Sequence, residues 1–168
     1  MTVFLCGFMG CGKTTVGKKL AELCGCSYCD MDELIVKKTG MTIPEIFEKY
    51  GEPHFRKLET NLTEELGSFN GIVSCGGGVM INNVNAQIAK KNGVVVFLDV
   101  PFETCYQRIR GDENRPIVQS NTKEQLEELF NARHEKYSEN ATITVECSNG
   151  PLGIAKNIQR DLEIFRKS

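Results

Sequence analysis

The stretch Val3-Phe4-Leu5-Cys6-Gly7-Phe8-Met9-Gly10-Cys11-Gly12-Lys13-Thr14-Thr15-Val16 decides how the rest of the chain is read. Its first four residues form an apolar run suited to a short strand covered on both faces, and Val16, Leu20 and Leu23 then recur at helical spacing. Between them, Gly7 to Thr14 fits G-x-x-x-x-G-K-[ST] without a gap. In a strand-to-helix turn such glycines let backbone N–H groups, here including those of Gly10 and Gly12, curl around a β-phosphate. Lys13 reaches the β- and γ-phosphates, and the Thr14 hydroxyl can ligate magnesium. The N-terminus of the following helix adds a favourable dipole. A glycine-rich turn with no ligand is the competing reading, disfavoured by the agreement of motif and context. Cys11 lies beside backbone donors and Lys13, which favour thiolate. It is either a small residue filling a serine or alanine position, or a thiol whose oxidation or alkylation blocks nucleotide binding.

Outward from this loop, four more runs read as strands: Ser27 to Asp30, Ile72 to Cys75, Val94 to Asp99 and Ile143 to Glu146. Most are continuously apolar, as parallel strands buried on both faces are. Thr42-x-x-Glu45 is a capping box opening a helix with Ile43, Ile46, Phe47 and Tyr50. Further helices are expected over Phe55 to Leu66, Val84 to Lys91, Phe102 to Arg110, Thr122 to Glu139 and Leu152 to Phe165, with Thr122 and Gln125 a second capping box. Strands alternating with helices imply an α/β fold, a three-layer α/β/α sandwich on a five-stranded parallel sheet. The polar stretch from Gly111 to Asn121 is too long for an idle connection and reads as a lid.

The 168 residues, 40% hydrophobic and 25% charged, suit one soluble domain over 1–168 that builds its core without disulfides. Twenty basic and 22 acidic residues give a net charge of -2, which leaves no footprint for nucleic acid or an anionic membrane surface. The longest aliphatic run, Val94 to Leu98, is far short of the roughly 20 residues that span a bilayer. No basic segment or cleavage site marks the N-terminus as a signal peptide. The expectation is a cytoplasmic monomer with no nucleic-acid or membrane partner. The eight cysteines show no framework spacing and read mostly as small buried apolar residues. Cys24-x-Cys26-x-x-Cys29 lacks the second Cys/His pair that four metal ligands need.

A phosphate loop does not say what receives the phosphoryl group. Asp30-Met31-Asp32 is expected at the end of the second strand, where alternation would point both carboxylates into the ligand crevice. One could hold magnesium and the other take an acceptor hydroxyl; a helix N-cap is the other reading of Asp32. Arg56 and Glu59 share a helix face, by default a surface ion pair. Gly76-Gly77-Gly78 follows the third strand and allows close backbone approach to a substrate. Arg133 and Tyr137 share the face of a helix that would ordinarily be solvated. His54 and His134 have no evident partners and read as surface residues.

Taken together, Gly7 to Thr14, Asp30-x-Asp32, Phe55-Arg56-x-x-Glu59, Gly76-Gly77-Gly78, Arg115-Pro116 and Arg133-x-x-x-Tyr137 resemble bacterial shikimate kinase in order and spacing. The resemblance covers essentially the whole chain. It implies an adenylate-kinase-like fold with strand order 2-3-1-4-5, and Mg-ATP-dependent phosphorylation of the 3-hydroxyl of shikimate on the way to chorismate and the aromatic amino acids. It further implies Thr14 and Asp30 as magnesium-side residues, and Asp32 as the residue that bonds the shikimate hydroxyls and serves as base or orienting group. Arg56, Arg133, Glu59 and the three glycines would hold shikimate, with an acceptor-binding region over about 31–60. Arg115 would swing in with the lid over about 111–121. ATP would contact Gly10 to Thr15, Arg115, and Arg108 or Arg110 together with the loop ending at Pro151. Another small-molecule kinase of this fold, such as a gluconate or nucleoside monophosphate kinase, would keep the phosphate loop but need other acceptor groups. A regulatory nucleotide-binding module would not need both aspartates, and no Asn-Lys-x-Asp segment supports a GTP switch.

Overall fold

In a computed structural model describing residues 1–168, the five apolar runs form one parallel sheet in the order β2-β3-β1-β4-β5. The strands are β1 (Thr2–Cys6), β2 (Tyr28–Asp30), β3 (Ile72–Ser74), β4 (Gly93–Asp99) and β5 (Ile143–Glu146). The sequence-based strand bounds hold to within one residue. Central β1 and β4 are aligned from Thr2↔Gly93 to Cys6↔Phe97, and every residue of β1 is buried. That continuous apolarity is what a strand covered on both faces requires. Edge strand β5 instead buries only Val145.

Nine helices cover the sheet: α1 (Lys13–Cys24), α2 (Met31–Thr39), α3 (Ile43–Tyr50), α4 (Glu52–Leu66), α5 (Asn83–Asn92), α6 (Phe102–Ile109), α7 (Pro116–Gln119), α8 (Lys123–Asn140) and α9 (Gly150–Lys167). Helices α1 and α9 pack together against β3 and β5, while α5 and α8 pack on β4. Both expected capping boxes are present, Thr42 with Glu45 and Thr122 with Gln125. Two helices were not expected. The first is α2, because Asp30 ends β2 and its carboxylate caps the next helix by accepting from Glu33 N–H at 3.1 Å. The second is α7, a short turn of helix inside the polar stretch read as a lid, opened by Pro116. No helix is long and apolar enough to cross a membrane.

Because the strands are parallel, all their carboxyl ends face one way. The chain leaves β1 for one side of the sheet and later returns to the other, so the loops after β1, β2, β3 and β4 meet at a topological switch point. Three buried side chains anchor the loop after β3. Tyr137 Oη donates to Gly77 O at 2.5 Å, Asn140 Nδ2 to Met80 O at 2.8 Å and Asn85 Nδ2 to Val79 O at 3.0 Å. Tyr137 is 1% exposed, so the solvated-face reading of its helix position is corrected: the ring packs on Phe97 while the hydroxyl reaches the loop. Tyr137→Phe should lower stability by about 1–3 kcal/mol, the usual consequence of a buried carbonyl losing its donor. Urea unfolding with an unchanged m-value checks this.

Candidate active site

The loop after β1 turns on glycines. Gly10 and Gly12 sit at φ 79° and 93°, a region unfavourable for other residues. A Cβ on Gly10 would also come within 2.7 Å of Ile109 Cγ2 and 2.9 Å of Cys105 O. Gly12 caps α1 without any side-chain bond, and the first intrahelical bond is Val16 N–H to Gly12 O at 2.9 Å. The N–H groups of Lys13, Thr14 and Thr15 therefore have no helical acceptor and present a positive end to an anion. Lys13 Nζ donates to Gly7 O at 2.7 Å and Phe8 O at 3.3 Å. From α6, Arg108 Nη1 donates to Gly10 O at 2.9 Å. Arg110 is the exposed C-cap of α6, its charge felt by Glu103, so Arg108 is the arginine set against the loop. Pro151 lies exposed in the first turn of α9.

Cys11 is 2% exposed, with its sulfur 3.6 Å from Lys13 Nζ. A Cβ on Gly7 would sit only 2.7 Å from that sulfur. The thiol is thus packed beneath the loop, which fits the reading of Cys11 as a small residue filling a serine or alanine position.

Across the crevice, the three glycines after β3 form a floor whose missing side chains make room for three functional ones. A Cβ on Gly76 would lie 2.9 Å from Asp32 Oδ1, one on Gly77 3.0 Å from Arg133 Nη1, and one on Gly78 would overlap the Arg56 guanidinium. Arg56 Nη1 donates to Glu59 at 2.8 Å. Glu59 is 2% exposed, so this is a buried brace rather than the default surface pair. Asp32 does not arrive by strand alternation, as expected, but from the first turn of α2, one residue beyond buried Met31. Arg115 lies apart from the floor: exposed, it pairs with Asp112 at 2.9 Å.

Burial raises the Asp32 carboxyl above its ordinary value, and the nearby Asp30 charge adds to this. Lys13, Arg56 and Arg115 pull the other way. Burial likewise raises Glu59 despite its bond to Arg56. For Arg56 itself burial opposes the charge, but Glu59 and Glu52 outweigh it and the guanidinium is held charged. The site thus joins an anion-binding helix end, a half-buried carboxylate and two guanidinium forks.

The shikimate kinase family model matches residues 9–163. The chain belongs to the shikimate kinase family. It is 45% identical over 138 residues to the shikimate kinase of Persephonella marina, covering 82% of this chain and 84% of that one. The structure of shikimate kinase from Acinetobacter baumannii in complex with shikimate superposes with a TM-score of 0.90 at 40% identity, over 99% of this chain and 95% of that one. A gluconokinase from Sinorhizobium meliloti superposes at 0.59 with 15% identity, over 99% of this chain and 97% of that one, and shares the fold alone.

A kinase of this family is expected to work with a divalent cation, and the residues present fit one. The exposed Thr14 hydroxyl stands on the first turn of α1. The Asp30 carboxylate uses Oδ1 for its cap and leaves Oδ2 without a protein hydrogen bond. Few protein ligands is the usual pattern for Mg²⁺, which keeps waters and substrate phosphates around it. Tyr28 Oη, buried and without a well-formed hydrogen bond, lies beside Thr14.

His134 is a residue whose role the sequence did not reveal. Its Nε2 meets Asp99 Oδ1 at 3.0 Å, and its ring stacks among Phe97 and Phe130, which corrects its reading as an unpartnered surface residue. His54 is exposed and stacks on Tyr50. The raised Asp32 carboxyl fixes a sign for stability. The native state holds that proton more tightly than the unfolded chain, so the contribution is full below about 3.8 and is lost as pH rises to the native value. Asp32→Asn should therefore be more stable than the wild type at pH 7, with the gap closing in acid; thermal melts across pH 3 to 8 read it out.

Proposed function

We propose that this family member transfers the γ-phosphate of ATP to the 3-hydroxyl of shikimate, giving shikimate 3-phosphate and ADP. The observation that carries the reading is the glycine floor with Asp32, Arg56 and Arg133 fitted into it. Shikimate is a small ring bearing one carboxylate and three hydroxyls. A guanidinium fork matches a carboxylate in two parallel hydrogen bonds where an ammonium gives only a point charge. Arg56 and Arg133 would take the carboxylate, with Glu59 fixing the plane of Arg56. The ring would rest on Gly76 to Gly78, and a hydroxyl would reach Asp32.

Catalysis would then be positioning and charge neutralisation. Asp32 accepts the proton of the attacking 3-hydroxyl, whose oxygen bonds to the γ-phosphorus as the bond to the β-bridging oxygen breaks. Its raised affinity for a proton brings it closer to the working range of a general base. Lys13 and the backbone N–H groups from Gly10 to Thr15 hold the β- and γ-phosphates, while Arg108 and the loop ending at Pro151 flank the adenine. Magnesium, held by Thr14 directly and by Asp30 through water, would neutralise charge on the phosphates. Arg115 would leave Asp112 and move onto the transferring group, which makes residues 111–121 the lid of a single domain whose acceptor region begins near residue 31.

A coupled ADP-release assay across shikimate, gluconate and nucleoside monophosphates tests the reading. Turnover is expected with shikimate; turnover with another acceptor and none with shikimate would sink it. Lys13→Ala and Asp32→Asn should each reduce kcat by about a hundredfold or more, the size expected for loss of a charge clamp or a base. Asp32→Asn should keep ATP binding. Arg133→Lys should act on the shikimate KM, raising it by roughly tenfold with little change in kcat, because bidentate geometry is lost. An unchanged KM would remove Arg133 from the carboxylate clamp.

A further inference from the structure

Tyr28 Oη is the one buried side-chain oxygen or nitrogen in the chain that makes no hydrogen bond. A hydroxyl in that condition destabilises the ligand-free protein and calls for an explanation. The ring cannot easily turn away. It is wedged against α1, where a Cβ on Gly17 would lie 2.7 Å from Tyr28 Cε2, and Lys18 Nζ stands 5.8 Å from its centroid. Strand register sets Tyr28 opposite Ile72 and Asp30 opposite Ser74. The hydroxyl lies beside the Thr14 and Ser74 side chains and interacts weakly with each, but it makes a well-formed hydrogen bond to neither.

Thr14 is the residue assigned to the cation in the preceding section, and the present inference rests on that reading. A threonine hydroxyl has one hydrogen and two lone pairs. If a lone pair is given to a cation, the hydrogen must point elsewhere, and the cation makes it a stronger donor. We propose that Tyr28 is a positioning residue of the cation site: its hydroxyl accepts the Thr14 hydrogen and donates its own to Ser74 Oγ, turning a Thr14 lone pair toward the metal. The buried hydroxyl, without a well-formed hydrogen bond in the ligand-free protein, is then fully paired when the cation is bound.

Tyr28→Phe separates this role from simple packing, since it keeps the ring and removes only the oxygen. Calorimetric titration with ADP is run twice on each protein, once with excess Mg²⁺ and once in EDTA, alongside melts without ligand. Tyr28→Phe should bind Mg·ADP roughly threefold to tenfold more weakly, the scale of one hydrogen bond to a polarised group, and bind ADP in EDTA as the wild type does. Its ligand-free Tm should be equal or raised by up to about 2–4 °C, because an unpaired buried hydroxyl is gone. Ser74→Ala, which removes the far acceptor, should weaken Mg·ADP in the same direction. Equal losses with and without Mg²⁺, an unchanged Mg·ADP affinity in either variant, or a lower ligand-free Tm in Tyr28→Phe would overturn the inference. A wild type whose ADP affinity ignores Mg²⁺ would overturn the cation-site reading beneath it. A wild-type Mg²⁺ effect that survives whole in Tyr28→Phe would overturn the tyrosine's role alone.

Discussion

The hydrogen bond from Tyr137 Oη to Gly77 O ties the long helix α8 to the loop after β3, and the acceptor side of the site depends on it. Arg133 lies one helical turn before Tyr137 on the same face, so wherever the tyrosine pins the helix, the guanidinium is pinned too. Its Nη1 comes within 3.0 Å of the space a Gly77 side chain would fill. Asn140, a turn further on, repeats the fastening at Met80 O. Two arginines from helices far apart in sequence are thereby brought to one strip of bare backbone. A flexible tie would leave two mutually repelling cations free to separate, and a ligand anion would have to supply the ordering each time.

Electrostatics at the site runs against stability and toward chemistry. Net charge of -2 over the whole chain conceals a local excess of cations: Lys13, Arg56 and Arg115 all act on Asp32. They do not overcome its burial or the neighbouring Asp30, and the carboxyl remains raised. Glu59 is in the same condition, nearly sealed from water, paired with Arg56 and with the Arg133 charge nearby. Buried carboxylates of this kind weaken a fold unless fully paired. Here their partners are shared with the site proposed to receive two anionic ligands, and on that reading part of the pairing is deferred until ligands bind.

Features carried by neighbouring residues were legible in the sequence, and those closed across the sheet were not. The loop from Gly7 to Thr14 and the boxes at Thr42 and Thr122 are local, each decided within a few residues, and all three are present. The strands were legible from their unbroken apolarity. Asp32 was given to a strand because period-two alternation reaches it, but Asp30 already caps a helix, and a single side-chain bond switched the period. Glu59 looked like a surface partner because i, i+3 spacing says nothing about what lies above the helix; the glycine floor does. The hydroxyl of Tyr137 finds its acceptor 60 residues away, and His134 meets Asp99 across 35. No window of sequence contains either pair.

The polar stretch between α6 and α8 shows how little holds an arm that the proposed reaction needs to move. Arg115 is fixed by one exposed ion pair, to Asp112, and such pairs are worth about 0–1 kcal/mol. Asp112 is itself held within its own turn: Asn114 N–H donates to its carboxylate, and Gln119 Nε2 to its carbonyl. Helix α7 has no buried residue, and only its half-buried Val118 packs against the core, so the segment is shaped mainly by its own short-range bonds. Anchored that way, it can shift as a unit without disturbing the sheet. A phosphate bearing full negative charge would compete for Arg115 with a bidentate geometry that a single Nε contact lacks. Weak fastening of residues 111–121 and strong fastening at Gly77 are therefore complementary: in the proposed reaction one part moves with Arg115, and the other holds still.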